Sequence, residues 1–549
     1  MNRTQLEEVL RRAEQALDEK DATLIRRLFE SYQYVADLVE DKDTTIRRLR
    51  QLFFGRRTEK TKLVLAGNVP KAEAAPPSAA PAAAAGAPHA AAGAADPKEA
   101  DAPELEPSPC PGHGRNGADA YGGAVRVEVP HPSLQAGDAC PACGQGTVYT
   151  KAPGVLVRIT GQPPLAARIY ELQKLRCHLC GEVFTAPAPK EAGEGKYAAT
   201  AGSMIGLLKY GSGLPFNRLE GLQGYLEIPL PASTQWDIVQ AAAAQIAPAF
   251  DELVRQAAQG EVLHNDDTTV KILELMGERG RQEALARAAA DSTDADERTG
   301  LFTSGVVALR DGRKLALFFS GRRHAGENLA EVLKQRAREL PPPIQMCDAL
   351  SRNLPGELQT ILGNCLAHAR RNFVEVYDRF PQECGYLLET LAVVYRNDAS
   401  ARERQLSPQE RLRFHQEASQ PTMQKLHDWL KRQLDEKLTE PNSALGGAIG
   451  YMLRHWDKLT LFLRQAGAPL DNNVCERALK KAILHRKNSL FYKTQNGARV
   501  GDMFMSLIYT CQLNEVNPFE YLTQVQENVD EVAANPQRWM PWNYCDASR

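Results

Sequence analysis

Four cysteines form two matching motifs, Cys140-Pro-Ala-Cys143-Gly144 and Cys177-His-Leu-Cys180-Gly181. Two residues between the cysteines let both thiolates of a pair reach one tetrahedral ion, and the glycine permits the tight turn that follows. Four cysteine ligands leave no open position for a substrate. The motifs therefore predict one structural Zn²⁺ per chain and argue against zinc catalysis; free buried thiols are the alternative.

Three acidic residues occupy positions from which a carboxylate could bind a metal ion. Asp266 ends the strand-like segment VLHND, Asp348 ends PIQMCD, and Glu476 lies one turn inside a helix that begins near Leu470-Asp-Asn-Asn. Three converging carboxylates can hold two Mg²⁺ ions, which activate an attacking water or 3′-hydroxyl and stabilise the leaving oxygen of a phosphodiester.

Each of these acids also has a structural alternative. The segment from Asn473 to Glu476 resembles a capping box, Asp348 suits a turn, and Asp266 suits a helix cap. Composition and spacing alone do not join the three residues into one site.

The composition indicates a globular protein of several domains. The chain has 549 residues, of which 43% are hydrophobic and 24% are charged, and eleven are cysteines. No run of about 18 apolar residues predicts a membrane span, and the polar first residues lack the apolar core of a signal peptide. We therefore expect a cytoplasmic protein without a membrane partner, in a compartment where cysteines stay reduced.

Positive charge is concentrated in two segments of a chain whose net charge is −2. Residues 46–62 hold seven Lys or Arg and one acid, and residues 477–501 hold seven Lys or Arg and no acid. Such local blocks on a nearly neutral chain are typical of a protein that grips phosphates at chosen places. A solvated surface is the alternative.

The chain before residue 196 divides into three regions. Residues 1–65 are predicted to be helical, and an imperfect heptad seam from Leu24 to Leu52 favours a coiled coil over a helix docked on its own domain. Residues 66–109 are rich in Ala and Pro and predict a disordered linker. Residues 110–195 contain the cysteine motifs and are predicted to be a zinc-binding domain.

Residues 196–258 contain three apolar-periodic segments joined by Gly and Pro, which predict three helices. Ser233 or Thr234 is the expected N-cap of the third helix. A helix-turn-helix DNA-binding region and plain packing helices are the two interpretations of this region.

The period of the sequence changes after residue 258. Residues 259–376 hold short strand-like runs (EVLHND, TVKILEL, LFTSGVVAL, KLALFFSG, IQMCDAL) and one helical stretch, which predicts an α/β domain. Residues 377–465 are predicted to be helical, with a start signal at Ser407-Pro-Gln-Glu410. Residues 466–515 contain two further predicted helices, and we expect residues 516–549 to form an irregular tail.

Several long motifs, in one order, resemble those of transposases of the insertion sequence 66 family. The resemblance covers nearly the whole chain apart from the Ala/Pro linker. Besides the cysteine motifs, it rests on LRQLFFGRRTEK (49–60), LHNDDT (263–268), CLAHARRNF (365–373), LDNNVCERALKKAILHRKN (470–488) and NPFEYL (517–522).

The resemblance implies a fold and a catalytic triad. It implies a leucine-zipper-like N-terminal segment, a zinc-binding domain and an RNase H-like catalytic core. Together with the helical domain predicted at 196–258, this gives a multidomain α/β protein. The triad of that core falls on Asp266, Asp348 and Glu476. The gap of 128 residues between the last two (476 − 348 = 128) is too long for the minimal fold and fits a helical insertion at 377–465.

This sequence departs from the family pattern beside both aspartates. Asp266 is followed by Asp267 where the family often has Glu, and strand alternation lets only one of the two face the site. Asp348 is followed by Ala349-Leu350 where the family often has Gly and Tyr, which indicates a divergent subgroup.

Basic residues beside the triad are candidate DNA contacts. His368, Arg370 and Arg371 are expected on or beside the strand that follows Asp348 in order, where they would contact phosphates; a structural role is the alternative. Lys480 shares the helix face of Glu476, and the same phosphate role is predicted for Arg486 and Lys487.

The resemblance thus implies a DNA transposase that cleaves and joins DNA at its element's ends, with two Mg²⁺ (or Mn²⁺) ions and one structural Zn²⁺. The expected partners are the terminal repeats, target DNA, further copies of the chain and, in some family members, accessory proteins of the same element. Such a protein would associate with the nucleoid. The alternatives are a zinc-containing DNA-binding regulator with an inactive core, and a structure-specific nuclease that does not join strands.

Overall fold

The structure is a computed structural model that describes residues 195–277 and 300–547 continuously. It also describes residues 129–130, 132–139, 141, 145, 147–150, 162–176 and 183–193. The predicted coiled coil, the predicted linker and all four cysteines of the predicted zinc site lie outside the described residues, so these remain predictions.

The chain forms two compact units, of which one spans Ala74–Pro163 and the other includes Pro164–Arg549. In the smaller unit, Ala139 and Thr147 form an antiparallel bridge. In the larger unit, strands β1 (Lys174–Arg176) and β2 (Val183–Thr185) pair in antiparallel fashion on either side of the second cysteine motif.

Residues 196–258 are helical, as predicted. Helix α1 (Ala199–Gly206) continues into a π-helical turn (Leu207–Gly211) and is followed by α2 (Phe216–Tyr225) and α3 (Ala232–Ala257). The expected N-cap of α3 was wrong, because the helix begins directly after Pro231. One face of α3 is buried along its length, and the helix carries no basic residue before Arg255. This burial and charge favour the packing interpretation over a helix-turn-helix.

A five-stranded mixed sheet forms the centre of the larger unit. Its strands are β3 (Val262–Thr269), β4 (Phe302–Arg310), β5 (Arg313–Gly321), β6 (Ile344–Cys347) and β7 (Ile361–Asn364), in the spatial order β5-β4-β3-β6-β7. Strands β3, β4 and β5 are antiparallel, whereas β6 runs parallel to both β3 and β7. Helix α4 (Ala325–Leu333) connects β5 to the parallel half.

Two details of the strand prediction were wrong. The segment TVKILEL is not a strand: it contains one bridge, from Ile272 to Tyr492, and a 3₁₀ turn at Leu273–Leu275. The strand expected after Asp348, on or beside His368, lies slightly earlier as β7, because its four residues are too few to show a period.

The segment between β7 and the last part of the core is helical, as predicted for residues 377–465. It contains α5 (Leu366–Val376), α6 (Pro381–Glu403), α7 (Pro408–Ala418), α8 (Gln420–Asp435), α9 (Ala444–Arg454) and α10 (Trp456–Leu459). The predicted start signal of α7 is confirmed, because Ser407 and Glu410 form a reciprocal capping box. These helices enclose their own hydrophobic core.

The chain then returns to the sheet through α11 (Asn473–Ser489) and α12 (Gln495–Leu513). Helix α12 covers the edge strand β5, whose outward N–H groups donate to its polar side chains: Ala316 N to Thr510 Oγ1 at 3.0 Å and Phe318 N to Ser506 Oγ at 2.9 Å. These hydrogen bonds protect an edge that would otherwise pair with other chains.

The irregular tail expected at residues 516–549 is instead largely helical. Helices α13 (Pro518–Glu527), α14 (Val529–Ala534) and α15 (Tyr544–Ala547) pack onto the core. Trp539 is 2% exposed, and its carbonyl accepts the Tyr521 hydroxyl at 3.0 Å. Among the described residues, no helix is both long and apolar enough to span a membrane.

Candidate active site

Asp266 and Asp348 lie on neighbouring parallel strands. Asp266 is the fifth residue of β3, and Asp348 directly follows β6. The pairing of these strands begins at Val262↔Ile344, an offset of 82 positions (344 − 262 = 82). The same offset takes Asp266 to Asp348 (348 − 266 = 82), so both carboxylates stand at the level where β6 ends.

The Asp348 carboxylate also organises the turn after β6. Its Oδ1 accepts the Leu350 N–H at 3.2 Å and a hydrogen bond from the Asn353 side chain. Asn353 is fully buried, and its carbonyl accepts Asn265 Nδ2 at 2.8 Å. The turn role considered for Asp348 is therefore present, and it fixes this carboxylate beside β3.

Helix α11 is fastened to the sheet just before Glu476. Asn472 is fully buried; its Oδ1 lies 3.1 Å from His264 Nδ1, and its Nδ2 donates to the Asn265 carbonyl at 3.0 Å. Burial lowers the pKa of His264 to about 4, so the imidazole is neutral and Nδ1 can donate to Asn472. These bonds tie the start of the Glu476 helix to the strand of Asp266.

Glu476 does not close a capping box, so the capping alternative was wrong. The N-cap of α11 is Asn472, which makes no side-chain capping bond, and the side chain of Asn473 donates to Asp471 at 2.7 Å. Glu476 Oε1 is buried and has no hydrogen-bond partner within the described part of the chain.

Burial, and then the charge of Asp348, raise the pKa of Asp266 to about 7. The charges of Asp267 and Glu476 act in the same direction, while the Asp267 N–H, which donates to Asp266 Oδ1 at 2.8 Å, lowers it. Asp348, Asp267 and Glu476 are close enough to Asp266 for their charges to oppose its ionisation. Such a site is electrostatically unfavourable until a cation joins it.

We expect Asp266→Asn to stabilise the metal-free protein at pH 8. The pKa of Asp266 is higher in the folded than in the unfolded state, so its ionisation lowers the stability of the folded protein as pH rises from about 4 to about 7. Removing that charge should therefore stabilise the fold by on the order of 2–4 kcal/mol at pH 8 and by less at pH 5. Thermal unfolding of both proteins in a chelator at pH 8 and pH 5 measures this difference in stability. A difference between variant and wild type that is equal at the two pH values would contradict the prediction.

Asp267 points into a different environment from Asp266. Its carboxylate pairs with His324 Nδ1 at 2.9 Å and Arg352 Nη2 at 3.2 Å, and the side chain is 1% exposed. Successive strand residues face opposite sides of a sheet. The structure therefore directs Asp266, rather than Asp267, towards Asp348.

Two of the three predicted basic contacts on α5 lie beside Glu476. His368, Arg370 and Arg371, expected on or beside the strand that follows Asp348, lie beside it in the first turns of α5, because β7 already ends at Asn364. His368 Nδ1 lies 3.7 Å from Glu476 Oε1, and Arg371 Nη2 lies 3.7 Å from Glu476 Oε2. Arg370 acts electrostatically on Tyr395 of α6.

The three predicted contacts on α11 differ in their surroundings. Lys480 and Lys487 are exposed, and their spacing from Glu476 places all three on one helix face. Arg486 instead donates to the hydroxyl of Thr269 at 2.7 Å and also bonds the Thr269 carbonyl. It joins α11 to the end of β3.

Sequence reasoning missed the buried polar residues that position the acids: Asn265, Gln345, Asn353 and Asn472 are all fully buried. Gln345 Nε2 donates to Asn265 Oδ1 at 2.9 Å, which links β6 to β3. The one available signal was the polar run Asp471-Asn-Asn before an apolar helix, since amides at such a position either cap the helix or bond elsewhere.

Comparison with known proteins identifies the family. The model of the Transposase IS66 family matches residues 195–500, which include the sheet, the helical insertion and all three acids. The chain belongs to this family.

Three relatives of this chain come from Sinorhizobium fredii (strain NBRC 101917 / NGR234). Uncharacterized protein y4hP is 28% identical over 450 residues, which cover 77% of this chain and 75% of the relative. Uncharacterized protein y4jD is 27% identical over 380 residues (67% and 70%), and uncharacterized protein y4qI is 26% identical over 348 residues (62% and 61%).

Proposed function

We propose that this protein is a DNA transposase that cleaves phosphodiester bonds at the ends of its insertion sequence and joins them to target DNA. The proposal is supported by the placement of Asp266 and Asp348 at one level of neighbouring parallel strands and by the charge effects of Asp348 and Glu476 on Asp266, in a chain of the IS66 transposase family. Its partners would be the element ends, target DNA, further copies of the chain and, where the element encodes them, accessory proteins.

The proposed catalytic core is RNase H-like. The strand order supports this: numbered along the sheet-forming segment, the strands lie 3-2-1-4-5, with the first three antiparallel and the last two parallel to the first. Asp266 lies on the first of these strands, Asp348 follows the fourth, and Glu476 lies on a helix packed against the first two. Along the chain, a helical insertion lies between the last strand of the sheet and that helix.

The acids fit divalent cations. The donor set is carboxylate oxygen, the ligand that Mg²⁺ and Mn²⁺ prefer, and it includes an oxygen of Glu476 without a hydrogen-bond partner among the described residues. Asp266, Asp348 and Glu476 would hold two such ions. The ions, when bound, supply charge that activates the attacking oxygen and stabilises the leaving one.

The surrounding residues hold this arrangement in place. Asn472 fixes the start of the Glu476 helix, and Asn353 fixes the Asp348 carboxylate. Arg371 Nη2 lies 3.7 Å from Glu476 Oε2 and attracts that oxygen electrostatically. Lys480 and Lys487 project from the same helix face and would contact phosphates that flank the scissile bond.

The test is incubation of the full-length protein with labelled element ends and Mg²⁺, scored for both cleavage and joining. The transposase proposal predicts cut ends and joined products that disappear in a chelator. Binding without cleavage would instead show a DNA-binding regulator with an inactive core. Cleavage without joining would show a structure-specific nuclease.

Replacing Lys480 and Lys487 by Gln should weaken DNA binding and its dependence on salt. Each lost phosphate contact lowers the slope of log affinity against log salt concentration by about 0.9 on duplex DNA, so the double variant should lose about 1.8. Arg486 is left unchanged because its bonds to Thr269 make it structural.

The control for this titration is Lys425→Gln with Lys431→Gln, two exposed lysines on α8 that change the net charge equally. Fluorescence anisotropy across a salt series gives both slopes. Equal slopes for the two double variants would show that Lys480 and Lys487 do not touch the DNA backbone.

One zinc ion per chain is expected, bound by Cys140, Cys143, Cys177 and Cys180. Metal analysis of freshly purified protein should give one equivalent, and Cys143→Ser with Cys180→Ser should reduce it to background because each pair loses a thiolate. Cys545→Ser, which changes an exposed cysteine near the C-terminus, is the control. Protein purified without zinc would contradict the assignment.

A further inference from the structure

Two buried polar atoms face each other beside the triad without a hydrogen bond. His368 Nδ1 and Glu476 Oε1 have no hydrogen-bond partner among the residues that the structure describes, and they lie 3.7 Å apart. A hydrogen bond between nitrogen and oxygen spans about 2.7–3.2 Å, so this gap is too wide for one. Leaving such atoms unsatisfied costs about 1–3 kcal/mol each. Within the described residues, both atoms therefore lack a partner that would compensate for their burial.

The helices that carry these two side chains are joined by two hydrogen bonds near their first residues. The Leu366 N–H, at the start of the His368 helix, donates to the Leu470 carbonyl at 3.0 Å, just before the Glu476 helix. The Asn472 N–H donates to Cys365 Sγ at 3.2 Å. These contacts join the first turns of α5 and α11 and so hold the backbones that carry His368 and Glu476 next to each other.

A divalent cation fits this gap. Two metal–ligand bonds of about 2.1 Å can reach atoms up to about 4 Å apart, so one ion can contact both Nδ1 and Oε1. Cys365 Sγ is the third candidate ligand atom, since it lies within 4.8 Å of both side chains. Its sulfur is buried and already accepts the Asn472 N–H, and sulfur is a poor ligand for hard ions such as Mg²⁺ and Mn²⁺. Nitrogen and carboxylate oxygen therefore remain as ligands.

We propose that His368 Nδ1 and Glu476 Oε1 together bind one of the divalent ions of the active site, so that His368 is a metal ligand rather than a phosphate contact. This inference rests on the proposed function. An imidazole ligand suits Mn²⁺ better than Mg²⁺, whose ligands are oxygen atoms. The site is thus selective for Mn²⁺ over Mg²⁺, and His368 causes that preference.

Pulsed electron paramagnetic resonance of Mn²⁺ bound to the full-length protein tests this directly. We expect a directly bonded nitrogen, whose signal changes when the histidines carry ¹⁵N and disappears in His368→Gln. The matched control is His427→Gln, because His427 Nδ1 also lies 3.7 Å from a carboxylate, that of Asp428. This variant should keep the nitrogen signal. The wild-type spectrum gives an answer even if His368→Gln folds poorly.

A second measurement uses the ratio of Mn²⁺ to Mg²⁺ affinity. His368→Asp replaces nitrogen by oxygen, and the ratio should fall by about tenfold or more while both ions still bind. Mn²⁺ binding without a nitrogen signal, or with one that survives in His368→Gln, would overturn the role of His368 and leave the proposed function intact. Absence of Mn²⁺ binding by the wild-type protein would overturn both.

Discussion

Asp266→Asn, Asp348→Asn and Glu476→Gln should each reduce Mg²⁺-dependent cleavage of element ends by about a thousandfold or more, because fixed cations lower the barrier to phosphodiester attack by several kcal/mol. DNA binding should persist or strengthen, since each change removes a negative charge that faces the phosphates. Cleavage rates under single-turnover conditions and gel-shift affinities for the same duplex separate the two effects.

The control for these variants is Asp311→Asn, an equivalent change at an exposed hairpin residue whose side chain is 68% accessible. Asp267→Asn is not a neutral control, because it would remove the carboxylate that pairs with His324 and Arg352. Full cleavage by any one of the triad variants would exclude that residue from the site. Loss of binding and cleavage together would indicate misfolding instead.

Asn472→Ala should impair both stability and cleavage, although Asn472 does not touch the DNA in this account. The substitution leaves the His264 Nδ1–H and the Asn265 carbonyl buried and unsatisfied, which costs about 2–4 kcal/mol. The start of α11 then loses these bonds to β3, and the position of Glu476 relative to β3 is less firmly fixed. We expect the unfolding midpoint to fall by several degrees and cleavage to fall more than DNA binding.

Asn473→Ala is the matched control for this substitution. Asn473 is the neighbouring amide, but within the described part of the chain its side chain bonds only to Asp471, at 2.7 Å. It should lose much less stability and retain most of the cleavage activity. Equal unfolding midpoints for the two variants would refute the anchoring role of Asn472.

The sequence predicted the elements with strong periodicity and missed those without it. Helices in 196–258 and 377–465 were predicted because apolar residues recur over several turns. The strand after Asp348 was expected near His368, but β7 is too short to show a period and ends at Asn364. The segment TVKILEL alternates like a strand, yet it forms one isolated bridge rather than a strand. The tail was misjudged because its Pro and Trp residues suggested irregular structure, whereas Trp539 is a buried packing residue.

The identities of the three acids came from the family motifs, and their surroundings came from the structure. The offset of 82 positions between Asp266 and Asp348 is the register of β3 against β6, and strand pairing over such a separation has no local signal in the sequence. For the same reason, the contact of His368 with Glu476 joins residues on different helices and could not be read from spacing. His368 lies on a helix because β7 ends at Asn364 and α5 begins two residues later.

Mapping with iron tests most directly whether Asp266, Asp348 and Glu476 share bound metal. Fe²⁺ replaces Mg²⁺ and, with ascorbate and peroxide, produces radicals that cut the nearby backbone. We expect cuts near all three residues, in β3, after β6 and in the first turns of α11, each suppressed by excess Mg²⁺ and absent in Asp266→Asn. Cuts confined to one of these segments, or cuts that Mg²⁺ does not suppress, would contradict a shared metal site.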